Sequence, residues 1–166
     1  QSFEELNSHV RITWPTTKEE VQPGDIVEQG LHIANSEVGV RSVTIIGVVH
    51  RLKCKNGLVA REKKGGFRHV GAPERIREQV KQVIEEVRHD TGALVEKFKM
   101  SLTKEIEYPM ALMDQSMLDS FMLEPSKNLY GVVNAITNSA QSNPSADRRF
   151  ELESIAGQVL DRQLTA

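Results

Sequence analysis

The sequence predicts an α+β fold, an antiparallel β-hairpin sheet over roughly residues 10–70 packed by one long helix and a C-terminal helical bundle. Two patterns point there. Period-two apolar alternation and turn dipeptides fill the first 70 or so positions, and spacings of three and four take over from about residue 73 to 164. Strands first and helices after is an α+β order, not the alternation of a doubly wound parallel sheet. With 166 residues, 39% apolar and 27% charged, the chain fits one globular domain and is too apolar for wholesale disorder. Aromatic residues make up only 5%, so the core must be largely aliphatic.

Residues 1–9 show no clear period, and a short helical turn suits them. Val10 to Trp14 alternates apolar and other residues, the pattern of a half-buried strand, and Pro15 ends it. Gln22-Pro23-Gly24-Asp25 reads as a turn and Ile26 to Ala34 as the next strand. Val40 to Cys54 is apolar on both faces in its middle, which suits a central strand covered on both sides. Asn56-Gly57 between two strand-like runs predicts a type I′ hairpin turn, because both central residues then take positive φ. Leu58 to Lys63 would return, Gly65-Gly66 would turn again, and Phe67 to Val70 would add a short strand.

Pro73 suits a first helical position, where a missing N–H costs nothing. From Ile76 to Phe98 the apolar spacing sustains a helix over Pro73–Lys99, about 40 Å long at 1.5 Å per residue. Gly92 inside it marks a place for a kink. A second helix is expected from Thr103 to about Met122, although Pro109 interrupts its start. A third is expected over Lys127–Ala140. A fourth follows Asn143-Pro144-Ser145 and turns Phe150, Leu152, Ile155, Ala156, Val159 and Leu160 inward.

Charge is unevenly distributed. From Arg41 to Lys81 there are 11 Lys and Arg against 3 acids, leaving 10 basic and 20 acidic residues elsewhere. A basic element on an acidic body points to an anionic partner. Arg51, Lys53, Lys55, Arg61, Lys63, Lys64, Arg68, Arg75 and Arg77 are the candidate phosphate contacts, helped by backbone N–H groups at the helix start after Gly71. An ordinary solvated strand face is the competing reading. Phe67 is the only aromatic in the window, which argues against base stacking but not against backbone binding.

Other chemistries find little support. His50, Cys54 and His69 fix no metal geometry, so neither a metal nor a cofactor is expected. The single cysteine, Cys54, excludes an internal disulfide, suits a reducing compartment and reads as a buried, inert thiol. Glu19-Glu20 and Glu85-Glu86 look like solvated surface, and the methionines from Met100 to Met122 like core filler. No phosphate-binding glycine loop, nucleophile elbow or zinc-protease motif occurs. Asn134 and Thr137 lie one helical turn apart and could share a polar site, or could satisfy the core. No apolar run is long enough to span a membrane, so a cytoplasmic protein is expected. A chain opening at Gln1 suggests that something upstream has been removed.

Several of these pieces occur together in a recognisable order. Asn35-Ser36-Glu37-Val38-Gly39, then Arg51 to Gly57 (Arg-Leu-Lys-Cys-Lys-Asn-Gly), then Arg68-His69-Val70-Gly71 resemble the central motifs of a phage/plasmid-like family, domain of unknown function 932. Leu129 to Thr137 (Leu-Tyr-Gly-Val-Val-Asn-Ala-Ile-Thr) is similar to a later segment of it, and Arg148-Arg149 and Gly157 to its close. The resemblance spans about residues 22–160. Where that family usually continues Glu-Tyr-Val-Asp-His, this chain has Asn138-Ser139-Ala140-Gln141-Ser142, so chemistry needing those groups is not expected here. Part of the family's β-rich region would lie before Gln1. The resemblance implies a phage, prophage or plasmid context and a mixed α+β fold, with no established activity. Phage single-strand annealing proteins offer an analogy at the level of fold alone.

The leading expectation is therefore a nucleic-acid-binding protein of replication, recombination or single-strand annealing, with single-stranded DNA as the favoured partner and homo-oligomers allowed. One alternative is an enzyme with a polar site around Asn35, Ser36, Glu37, Asn56 and His69, joined by Asn134 and Thr137. Another is a self-assembling protein whose acidic helices dock on the basic hairpin.

Overall fold

Two long strands pair with each other, and the rest of the sheet is added along their outer edges. The computed structural model describes residues 7–36, 43–53, 56–59, 64–67, 72–107 and 113–166. Strands β3 (Asp25–Ser36) and β4 (Val43–Arg51) run antiparallel, with Val27 opposite Arg51 and Ala34 opposite Thr44. Outside β3 lie β1 (Asn7–Thr13) and β2 (Glu19–Gln22), in line and separated by a 3-10 turn over Pro15–Thr17. Outside β4, β5 (Asn56–Val59) pairs near Arg51 and β6 (Lys64–Phe67) near Val43. All pairs in this six-stranded sheet are antiparallel, and each outer edge is one interrupted strand.

Helix α1 (Pro73–Met100) crosses one face. Alternation along β3 puts Val27, Gln29, Leu31 and Ile33 on that face. Leu31 and Ile45 pack with Val87, and Trp14, Ile33, Val43, Val80, Val83 and Ile84 close around them. Thr91 donates to the Gln29 side-chain oxygen at 2.9 Å. Beyond that point Leu94, Val95 and Phe98 join the main core, which Val27, Val49 and Leu58 of the sheet share with the remaining helices. Those are α2 (Gln115–Leu123), α3 (Leu129–Gln141) and α4 (Ala146–Thr165). α3 is the innermost, with every residue from Leu129 to Thr137 buried. Side chains of Asp114, Asn128 and Ser145 cap the three helices by accepting from backbone N–H groups of their first turns. The opposite face of the sheet shows Ile46, Val48 and Val59, and Phe150 of α4 packs on them.

The α+β order and the long helix stand as the sequence predicts, and Pro73 opens α1. Gly24 takes the positive φ (76°) that its turn requires. The Asn56-Gly57 turn is corrected: both residues lie inside β5, opposite Arg51 and His50. Gly57 keeps an extended backbone, and its smallness serves another end. A Cβ there would lie 2.7 Å from Arg11 Nη1 and 3.0 Å from a Val48 methyl. Gly65-Gly66 likewise belongs to β6, where Thr44 faces Gly66 and Ile45 faces Lys64, leaving Gly65 as a bulge. Of the predicted strand Phe67–Val70, Phe67 ends β6 and residues 68–70 lie outside the described residues. β2 was not anticipated, because Glu19-Glu20 resembles surface. Glu20 accepts from the Gly24 N–H at 2.8 Å, and Glu19 pairs with Lys99 of α1. α2 starts at Gln115, not Thr103, and α1 continues unbroken through Gly92.

Candidate functional site

The described part of the basic window holds the central strand β4, the outer strands β5 and β6, and the start of α1. Val43 faces Phe67 at one end of β4 and Arg51 faces Asn56 at the other, roughly 27 Å apart at about 3.3 Å per residue. Val80 and Val83 pack beside Val43, so α1 starts near the β6 end. Arg75 and Arg77 are exposed on its first turns, while Lys53 is exposed in the turn at the far end. Among the described residues none of these three has an ion-pair partner. The backbone of Lys64 lies in β6. Lys55, Arg61, Lys63 and Arg68 lie outside the described residues, as does Cys54. Of the described cations, Lys53 thus lies at one end of the β5–β6 edge, and Arg75 and Arg77 lie on the helix that starts near the other.

Arg51 is the exception, and its assignment as a phosphate contact is corrected. It is 3% exposed and points inward at the junction of sheet and helices. Its Nε donates to Asp25 Oδ1 and Oδ2 at 2.7 and 2.8 Å, and its Nη1 donates to Glu124 Oε1 at 3.1 Å. The Tyr130 hydroxyl donates to Asp25 Oδ2 at 2.5 Å. Burial works against the Asp25 charge, yet hydrogen bonds from Arg51 and Tyr130 together hold its pKa below the usual value. Burial, and then the Asp25 carboxylate, push the Tyr130 hydroxyl up. This network joins β3, β4, α3 and the end of α2. It is a structural joint.

The polar site expected around Asn35, Ser36, Glu37, Asn56 and His69 does not converge where it is described. Asn35 and Ser36 pair with Ser8 and Asn7 at one end of β3, and Asn56 lies at the opposite end of the sheet. Glu37 and His69 fall outside the described residues. Asn134 and Thr137 are 1% and 2% exposed inside α3, and the Thr137 hydroxyl donates to the Val133 and Asn134 carbonyls. That corrects their placement in a shared open site.

A different polar cluster occupies the second face of the sheet, under the first turns of α4. Alternation from β1 and β3 puts His9, Arg11 and His32 on that face. They line a cleft of about 210 Å³ with Gln141, Arg149 and Glu153. His9 Nε2 lies 2.7 Å from Asp147 Oδ1, and His9 Nδ1 lies 2.9 Å from His32 Nε2. Arg11 Nη2 approaches His32 Nδ1 at 3.5 Å. The guanidinium can only donate, so His32 Nδ1 accepts and its Nε2 carries the proton. That proton goes to His9 Nδ1, and the His9 Nε2–H goes to Asp147. One set of tautomers satisfies the whole chain. The same tautomers leave His32 Nε2 without a lone pair for a metal, and among the described residues no three His, Cys, Asp or Glu side chains converge as ligands.

Glu153, 1% exposed, pairs with Arg11 and accepts from the Gly57 N–H at 3.0 Å and the Gln141 amide at 3.1 Å. Phe150 stacks on His32 with ring centres 4.4 Å apart. Burial, then the Arg11 charge, then His9 lower the His32 pKa to about 3. His50, farther along the face, is lowered by burial and by Arg11 against the pull of Glu28. Sequence reading passed over this cluster, although two signals were present. His9 and Arg11 are two apart on one strand, and Glu153 repeats the inward spacing of Phe150 and Gly157.

No helix among the described residues is long and apolar enough to cross a membrane. No family model, no curated protein and no solved structure matches the chain.

Proposed function

We propose that the chain is a nucleic-acid-binding protein that lays a phosphate backbone along the β5–β6 edge and the start of α1. The observation that carries this reading is the segregation of charge: 11 of the 21 basic residues, the buried Arg51 among them, fall between Arg41 and Lys81, the stretch that holds β4, β5, β6 and the start of α1. Exposed Lys53, Arg75 and Arg77 support it at both ends of the edge. Arg51 is removed from the contact set by its burial, so the set is Lys53, Lys55, Arg61, Lys63, Lys64, Arg68, Arg75 and Arg77. Contacts of this kind position a strand without reading bases, so recognition would be largely independent of sequence. Single-stranded DNA is the favoured partner, in keeping with the phage and plasmid context that the sequence motifs suggest. The dispersal of Asn35 and Asn56 to opposite ends of the sheet leaves the alternative enzyme site without geometric support.

An electrophoretic shift assay with single- and double-stranded oligonucleotides tests the proposal. The native chain is expected to retard single strands at low salt. The pair Arg75→Glu and Arg77→Glu is expected to weaken binding for every sequence alike, because both residues are exposed and their loss leaves the core intact. Unaltered affinity in that double variant would place the contact surface elsewhere.

A further inference from the structure

The second-face cluster implies a conformational device that is independent of nucleic-acid binding. Arg11, His32, His9 and Asp147 form a line of three contacts that needs three protons: one from the guanidinium and one from each imidazole. A proton added to His32 Nδ1 sets a donor against a donor, because it meets the Arg11 guanidinium. A His32 cation also needs water, yet the ring is 5% exposed, with the sheet beneath it and Phe150 stacked above. The relief available is to move Phe150.

We infer that the first turns of α4, Ala146 to Glu153, are an acid-sensitive cover on the second face of the sheet, released when His32 takes up a proton. Three contacts hold the cover down: Asp147 on His9, Phe150 on His32 and Glu153 on Arg11. The later turns have a further anchorage, since Ala156 and Leu160 sit deep in the main core, to which the cover itself contributes Leu152. Lifting the cover uncovers Ile46, Val48 and Val59, on which Phe150 packs. The other charged groups facing the site are Arg149 of α4, which lines the cleft, and Glu28 and His50 of β3 and β4. Arg149 and Arg11 oppose a protonated His32. Glu28 lies farther along, opposite His50, and favours a charge there instead. The low His32 pKa agrees with the geometry: the closed cover resists the proton, and the open one accepts it near the ordinary value of 6.5.

Hydrogen exchange of the full chain, followed by mass spectrometry between pH 7.5 and 5 and corrected for intrinsic exchange, tests this. One proton taken up by His32 on opening makes the opening constant of residues 146–153 rise about tenfold per pH unit below about 6.5. Residues 156–164 and the middle of α1 are expected to keep their protection over the same range. His32→Gln is expected to remove one tenfold factor per unit from that slope. If this variant does not fold, the comparison of the two halves of α4 in the native chain decides alone. A pH-independent opening constant for residues 146–153, or a rise shared equally by the whole chain, overturns the inference.

Discussion

Arg51 and Gly57 show how far single residues can be read from local sequence. Both sit in a motif whose density of Lys, Arg and Asn-Gly suggests a surface hairpin, yet Arg51 is internal and Gly57 is a space-maker. What decides their roles lies far off in the chain: Asp25 and Glu124 for Arg51, Arg11 for Gly57. No nearby pattern announces those partners. Replacing Arg51 with Ala would leave two buried carboxylates facing each other. Such a deletion costs on the order of 3–5 kcal/mol, to be read from chemical denaturation midpoints. A variant with unchanged stability would show that the joint is solvated. Gly57→Val is expected to destabilise by about 1–3 kcal/mol through overpacking against Arg11 and Val48, not through a strained turn. Gly131 answers to the same logic, because a Cβ there would overlap the Ser126 carbonyl oxygen. The Tyr-Gly pair of the α3 motif is thus explained by packing, with Tyr130 on Asp25 and Gly131 under Ser126.

At the scale of elements, legibility follows the strength of local signals. α1 was readable almost to its ends because Pro73 marks its start and its apolar spacing persists to Phe98. β3 and β4 were readable because their alternation and apolar runs are long. α2 begins later than its apolar spacing suggests, since Ile106 continues that spacing while residues 103–107 are not helical and Asp114 caps the helix. β2 was missed because its carboxylates find partners only in the folded chain, Glu19 on Lys99 and Glu20 on the Gly24 N–H. The second-face cluster was missed for a related reason: His9, His32 and Asp147 meet only after the sheet and α4 are assembled. Gly92 provides a test of α1 itself. A Cβ there meets nothing within 4 Å, so Gly92→Ala is expected to stabilise the protein by up to about 1 kcal/mol. A lower thermal midpoint would mean that the helix needs flexibility at that position.

At the scale of the whole molecule, two imidazoles tie stability to pH. His32 and His50 have folded pKa values below the ordinary 6.5, so the unfolded chain binds more protons as pH falls past that value. Their contribution to stability is complete above about pH 6.5 and declines as pH falls below it; for His32 the decline continues toward pH 3 at about 1.4 kcal/mol per unit. Asp25, held below its usual value, adds a further loss only as pH falls below about 4. Denaturant midpoints should therefore drop between pH 7 and 5, and a flat profile there would contradict the buried neutral imidazoles. The central claim concerns the outer edge, and salt dependence tests it most directly. Each phosphate contact on a single strand contributes a slope of about −0.7 in log affinity against log salt, so four to six contacts predict a slope near −3 to −4. Fluorescence anisotropy of a labelled single-stranded oligonucleotide, titrated at several salt concentrations, measures it. A slope in that range, flattened by Arg75→Glu and Arg77→Glu, is the expected result; no binding at low salt, or binding indifferent to salt, would contradict the account.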